Sequence, residues 1–364
     1  MRKLFVVVAA VALFTVSAHS QTLDAYGDSI TRAGYGASTP SNGYAALIAS
    51  AKGWTLSNHG VDSSQASDFG MVADHTDGQI DNVLGKTVSD TTKSVMLTGY
   101  NDMRAWGTSA NGLATYADTL RAMLIWLSTR SSKIQAGQDI STWTDLTTSA
   151  YPTTLGVFTS TTSATTTAKV YGDVIYVVSI RLNSGGGTFT LTVDGTQYGG
   201  TYSCSGAQTT IGANPATYAP FVIRIPGLTE TLHDVTMTVT STSGNVYLLW
   251  MSGNRGASTI NGPEVWVGNC LRMKQAYYSA GSYSAGTDAV VGTYNAKIRE
   301  IVNELSGDGL NVTLADAGGA YDPNSTDLAS DNFHPSDTGH AHIADAFLRA
   351  MQTSVVAGDR GGRQ

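Results

Sequence analysis

The feature that most constrains this chain is a change of texture. Two stretches that alternate strand-like and helix-like runs are separated by a long one in which no helical period survives. Residues 22–27, 54–60 and 93–99 read as strands; Tyr44, Leu47, Ile48 and Ala51 are spaced for a helix face, as are Leu113, Tyr116, Ala117, Leu120, Leu124 and Leu127. This alternation predicts βαβ units and a parallel sheet covered on both faces. Between 131 and 258 the chain is rich in Ser, Thr and Gly, and its apolar residues alternate instead. Phe189, Leu191 and Val193 stand against Thr188, Thr190 and Thr192, and Asp194-Gly195 then supplies a hairpin turn. Val235, Met237 and Val239 repeat the pattern, and residues 174–180, 221–225 and 246–250 extend it into an antiparallel β-sandwich. The first texture resumes with a strand at 264–268, a helix face of Val291, Tyr294, Ile298, Val302 and Leu305, a strand at 311–316 and a helix at 338–351. The prediction is one discontinuous α/β domain, 21–130 and 259–364, interrupted by a β-sandwich domain at 131–258.

Residues 1–20 read differently. Arg2 and Lys3 precede an apolar run from Leu4 to Val16, which is followed by small residues ending in Ala18-His19-Ser20. This is the layout of a signal peptide, too short to span a bilayer, with an uncleaved anchor as the rival reading. The expectation is a secreted or periplasmic protein with no stable membrane insertion after cleavage. Lys plus Arg number 21 against 28 Asp plus Glu, a formal charge of −7. Nucleic acid is therefore excluded as a general partner, because such a chain lacks the basic face that displaces phosphate counterions. Export would let Cys204 and Cys270 pair, the alternative being two buried thiols. Neither lies in a CxxC or a His-rich cluster, so no metal and no cofactor is expected.

Four short blocks carry the chemistry. The first strand runs into Gly27-Asp28-Ser29-Ile30, which sets a serine just beyond the carboxyl end of a parallel strand, where open α/β sheets place their sites. Taken alone it reads more readily as a helix cap. Asn58-His59-Gly60 and Gly99-Tyr100-Asn101-Asp102 end the next two strands and fall on the same edge. A glycine amide and an asparagine amide are neutral donors able to meet an oxyanion, although a lone Asn101 would read as an Asx turn. The fourth block is Asp331-Asn332-Phe333-His334, after the last strand. A carboxylate three residues before a histidine can bond one ring nitrogen and leave the other for a serine hydroxyl. His340 and His342 fall on the last helix and His233 in the β segment, so His334 alone combines a loop position with a nearby acid.

The four blocks in this order resemble those of the SGNH or GDSL hydrolases, over roughly 22–130 and 259–352. The resemblance implies a three-layer α/β/α, flavodoxin-like sheet and a serine esterase. It implies Ser29 as nucleophile, His334 as general base and then acid, and Asp331 as its orienting carboxylate. It also implies an oxyanion hole made by the Ser29 amide, the Gly60 amide and the Asn101 side chain. Family members without insertions reach the histidine block sooner than this chain does, and Asp24 is unusual within a buried parallel strand.

The inserted segment looks like a carbohydrate-binding module. Tyr171, Tyr176, Tyr198, Tyr202, Tyr247 and Trp250 are candidates to stack on sugar rings, against the plain reading that strands favour such residues for packing. The insertion is expected beside the cleft, where it would restrict bulky acyl groups. The functional expectation is an exported esterase that removes acetyl or other short acyl groups, with acetylated carbohydrate as its partner. Lipid or small-ester hydrolysis, acyl transfer through the same triad, and a non-catalytic carbohydrate-binding protein are the alternatives.

Overall fold

Strand β1 (Thr22–Gly27) buries Leu23, Ala25 and Tyr26 on both of its faces, as a strand must when helices cover both sides of the sheet. It pairs in parallel with β2 (Thr55–Gly60) on one side and β3 (Lys93–Leu97) on the other. These coordinates are a computed structural model. It describes residues 21–66, 79–89, 91–129, 137–146, 156–182, 185–206, 210–211, 214–215, 218–255, 263–278 and 284–358, so the leader reading over 1–20 and both predicted insertion junctions lie outside the described residues. Between these strands run α1 (Ser29–Arg32), α2 (Tyr44–Lys52) and α3 (Gln79–Leu84); α4 (Tyr100–Trp106) and α5 (Ala110–Ser128) follow β3.

The β-rich segment supplies β4 (Thr144–Leu146), β5 (Gly156–Thr159), β6 (Thr165–Gly172), β7 (Ile175–Leu182), β8 (Thr188–Val193), β9 (Thr196–Ser203), β10 (Thr210–Ile211) and β11 (Asn214–Pro215). It continues with β12 (Tyr218–Ile225), β13 (Thr231–Ser241), β14 (Val246–Leu248) and β15 (Trp250–Gly253). All of its pairings between strands are antiparallel. The sheet β6-β13-β8-β9 turns Phe189, Leu191, Val235, Met237 and Val239 inward, toward β12-β7-β15 and β14-β5-β4. Phe189 meets Phe221 across the gap, with ring centroids 6.4 Å apart. This is the two-layer sandwich that the alternation predicts.

The chain then returns to the parallel sheet as β16 (Glu264–Gly268), α6 (Asp288–Gly307), β17 (Val312–Ala315), α7 (Ala317–Ala320) and α8 (Asp337–Gly358). The five-stranded order β2-β1-β3-β16-β17 is the flavodoxin-like one, with its switch point between β1 and β3. Right-handed crossovers then place α2 and α8 on one face, where Tyr44 stacks on Phe347 at 5.4 Å. On the other face lie α3, α5 and α6, and Tyr116 of α5 meets Tyr294 of α6 at 4.9 Å.

Where the sandwich docks departs from expectation. Helix α5 runs back along the sheet, and its last turn reaches the amino end of β3, where the Trp126 indole N–H donates to Lys86 O at 3.0 Å. The chain rejoins at Glu264, whose N–H donates to Thr92 O at 3.1 Å. The described residues that flank the insertion, Trp126 and Glu264, therefore both lie at the amino edge of the sheet, opposite the edge where β1 delivers Ser29. The sandwich covers the outer side of α5, which explains why every residue from 122 to 128 is buried. Trp250 sits edge-on against Trp126 at 5.0 Å. Asp308, just past α6, accepts from Tyr176 Oη at 2.6 Å and from Arg224 Nε at 2.8 Å, while Asn254 Nδ2 donates to its carbonyl at 2.5 Å. One hydrophobic core continues through both parts. Among the described residues the insertion thus braces the helix layer, and none of its residues lines the cleft beside Asp331.

Two other readings change. Tyr176, Tyr247 and Trp250 are buried in packing or docking contacts and cannot present a face to a sugar; Tyr171, Tyr198 and Tyr202 are partly buried. Asp24 is accounted for: Lys86 Nζ at 2.7 Å and His59 Nε2 at 3.2 Å reach its carboxylate. Burial pushes its pKa up, but the bonds from His59 and Lys86 outweigh burial and hold it below the usual value. Cys204 and Cys270 are both buried free thiols, one in each part of the fold.

Candidate active site

The carboxyl edge of the sheet is assembled from tight turns. Gly27 has φ +153°, and a Cβ there would overlap Leu97 O and the Thr31 hydroxyl, so only glycine lets β1 turn this closely under α1. Asp28 caps α1, its Oδ1 accepting from Ile30 N at 2.9 Å. It is fully buried, and burial pushes its pKa up to about 7 against the Ile30 hydrogen bond and the charge of Arg104. Ser29 follows as the first residue of α1 and is buried but for its edge. Its N–H has no intrahelical partner at that position.

On the other side, Asp331 folds its own loop. Its Oδ1 accepts from Phe333 N at 2.9 Å and His334 N at 3.0 Å, and its Oδ2 meets His334 Nδ1 at 2.7 Å. Burial raises its pKa, but these bonds prevail and hold the carboxyl below its usual range. His334 Nε2 lies 3.0 Å from Ser29 Oγ. With the carboxylate accepting from Nδ1–H, Nε2 is left to accept from the serine hydroxyl. The loop is tied to α4, since Tyr100 Oη donates to Phe333 O at 2.8 Å and the Arg104 guanidinium lies 4.3 Å from the Phe333 ring centre.

Asn101 is buried on α4. Its Nδ2 donates to Ser64 O at 2.9 Å and its Oδ1 accepts from Arg104 Nη1 at 3.2 Å. A primary amide has two N–H donors, and the bond to Ser64 O uses one of them. Gly60 requires correction. Val61 N donates to Gly27 O at 3.0 Å, toward β1, and successive N–H groups of a strand point to opposite sides. The Gly60 amide therefore faces away from Ser29 and donates to Asn58 Oδ1 at 2.9 Å. The loop after it is what Asn101 and Asp102 hold, through Ser64 O and through Ala66 N at 3.0 Å from Asp102 Oδ2. Ser63 within that loop has φ +61°.

The other described histidines have separate partners. His340 Nδ1 accepts from Tyr44 N at 3.2 Å, and burial lowers its pKa to about 4. His342 Nδ1 is 3.0 Å from Asp327 Oδ2, and His233 Nδ1 is 2.6 Å from Asp194 Oδ2. The sequence reading missed Tyr35, which stacks on His334 with centroids 5.2 Å apart and planes at 23°. It stands in a Gly-Tyr-Gly loop without periodicity, and nothing in that loop announces a contact made some 300 positions later. Beside Asp331 opens a polar cleft of about 470 Å³, lined by Gly36, Ser38, Leu328, Ser330, Ser336 and others, though by neither Ser29 nor His334. Among the described residues no three His, Cys, Asp or Glu side chains are grouped to hold a metal, and no helix is long and apolar enough to cross a membrane.

The parallel sheet with a serine, a histidine and a carboxylate in line at its carboxyl edge defines an α/β protein with the constellation of nucleophilic acyl chemistry. A family model described as GDSL-like Lipase/Acylhydrolase matches residues 211–347, taking in β16, β17 and the block with Asp331 and His334. That stretch of the chain, well under half of its length, is thus similar to GDSL-type acylhydrolases. No curated protein matches it. Among solved structures, a two-domain esterase active on acetylated mannans matches at 14% identity and TM-score 0.34, over 64% of this chain and 90% of its own. A carbohydrate acetylesterase from Sinorhizobium meliloti matches at 10% identity and TM-score 0.42, over 92% and 99%. A family 3 carbohydrate esterase from Clostridium thermocellum matches at 10% and 0.39, over 93% and 99%. At such scores these likenesses assign no substrate to this chain.

Proposed function

We propose that the chain is an exported serine esterase that removes short acyl groups, acetyl foremost, from carbohydrate. The observation that carries this reading is the hydrogen-bonded line Ser29 Oγ, His334 Nε2, His334 Nδ1, Asp331 Oδ2, drawn from chain segments 305 positions apart. Ser29 Oγ attacks the ester carbonyl as His334 Nε2 takes its proton, and Asp331 stabilises the imidazolium. The Ser29 amide and the Asn101 side chain meet the oxyanion. His334 then protonates the departing alcohol, and water repeats the sequence on the acyl-enzyme.

The substrate class is supported by the cleft beside Asp331, whose serine, threonine and carboxylate lining suits a hydroxylated alcohol better than an alkyl chain. Export rests on the leader at 1–20. In this reading residues 131–258 form an inserted unit whose role is to brace α5 and α6. The test is a chain-length screen on the purified protein with p-nitrophenyl esters, followed by acetate release from acetylated polysaccharide. Activity highest on acetyl and abolished in Ser29→Ala is expected. Rates that rise with chain length would favour a lipid ester, and absence of hydrolysis would favour a sugar-binding protein.

A further inference from the structure

We propose that Tyr35 is the platform on which the sugar of the leaving group stacks, a specificity-determining contact on the alcohol side of the ester. The inference rests on the carbohydrate reading above and deepens it. The alcohol oxygen receives its proton from His334 Nε2 in the plane of the imidazole, so the sugar ring that bears it must lie beside the edge of that ring. Tyr35 is the neighbouring aromatic ring, stacked on the imidazole with centroids 5.2 Å apart, so a sugar at the edge of His334 can extend over the part of Tyr35 left open to solvent.

Tyr35 is 51% exposed, and among the described residues it and Leu232 are the large hydrophobic side chains left this open to solvent. An exposed aromatic face costs apolar hydration unless something covers it, and a sugar ring offers the C–H face that fits. Leu232 lies on β13 in the sandwich, away from any catalytic group, whereas Tyr35 overhangs one.

The platform is held in place. Gly36 has φ +81°, and a Cβ there would overlap Pro335 O and crowd His334 Cβ, so the loop sits directly on the histidine block. Two residues on, Ser38 donates to Asp337 through its N–H at 2.8 Å and its hydroxyl at 2.6 Å, and Asn42 Nδ2 adds a third bond at 3.0 Å. A contact fixed in advance loses little entropy on binding. Gly36 and Ser38 also line the polar cleft, so a chain of sugars leaving the platform would run into hydroxyl-bearing walls.

The experiment compares kcat/KM on ethyl acetate, whose leaving group has no ring, with that on a sugar acetate such as acetylated methyl xyloside. The proteins are the parent chain, Tyr35→Ala, Tyr35→Phe and Tyr35→Trp. Tyr35→Ala is expected to lose about tenfold more on the sugar acetate than on ethyl acetate, while Phe and Trp keep the parent's preference. Equal losses on both substrates would mean that Tyr35 acts only through His334, and no loss on either would remove it from the site; each outcome overturns the platform. A parent that hydrolyses ethyl acetate and no sugar acetate overturns the substrate reading itself, and the platform with it. Thermal melting of each variant guards against misfolding, and Tyr35 is exposed enough that little change is expected.

Discussion

The two edges of the parallel sheet are built on opposite terms. At the carboxyl edge, Ser29 and Asn101 stand in the first turns of α1 and α4 and Asp331 and His334 in a loop, and Asp331 keeps 40% of its side chain open to solvent. Its geometry comes from hydrogen bonds to its own backbone rather than from burial. At the amino edge, Asp308 is buried beneath Tyr176, Arg224 and Asn254, and Trp250 fills the space behind Trp126. The difference teaches that, on the proposed reading, the insertion contributes stability at one edge while chemistry is confined to the other. A change at either edge should therefore alter one property and spare the other.

The strongest way to break that division is at the proposed nucleophile. Ser29→Ala or His334→Ala should lower kcat by on the order of 10⁴-fold or more, with an unchanged melting temperature, because triad members act as a unit. A variant that kept near-parent activity would remove Ser29 from the chemistry. Trp250→Ala is the counterpart at the amino edge. It should cost about 3–5 kcal/mol of stability by denaturant unfolding, yet leave kcat/KM on a small ester near the parent's at a temperature where the protein stays folded. A large loss of kcat instead would show that the two edges are coupled.

Asn101→Ala should sharpen the comparison, since Asn101 both offers an oxyanion donor and holds Ser64 and Arg104. A fall in kcat on the order of 10²-fold to 10³-fold with little change in KM is expected, accompanied by a modest loss of stability. A change mainly in KM would make it a substrate-binding residue.

The smallest effects concern pH, and they run in opposite directions. Asp28 has its pKa raised by burial to about 7, so it contributes stability below the ordinary carboxylate range that is lost as pH rises toward 7. Asp28→Asn, which can still cap α1, should flatten that decline in melting temperature. Asp24 has its pKa lowered, so its contribution is present above the ordinary value and lost as pH falls through the lowered one. Lys86→Met should therefore reduce the melting temperature at neutral pH more than under strong acid. Parallel pH profiles in parent and variants would contradict both assignments.

Residues near one another in sequence announced most of the site. The block from Asp331 to His334 closes through bonds spanning two or three positions, and Gly27 to Ile30 forms one turn, so both were legible as local chemistry. The α/β framework and the sandwich were legible for a related reason: periods of 3.6 and 2 report which face of a helix or strand is buried, before anything is known of what buries it. Tertiary structure decided the rest. Which amide at the end of β2 faces Ser29 depends on strand pairing, and that excluded Gly60. The direction of α5 set the insertion at the amino edge, turning Tyr176 and Trp250 from candidate sugar contacts into docking residues. Asp24 is held by Lys86, 62 positions away, as well as by His59, and Tyr35 meets His334 across almost the whole chain. Hydrogen bonds and periodicity within a segment are properties of the sequence itself, whereas the orientation of one segment against another arises only when the elements pack.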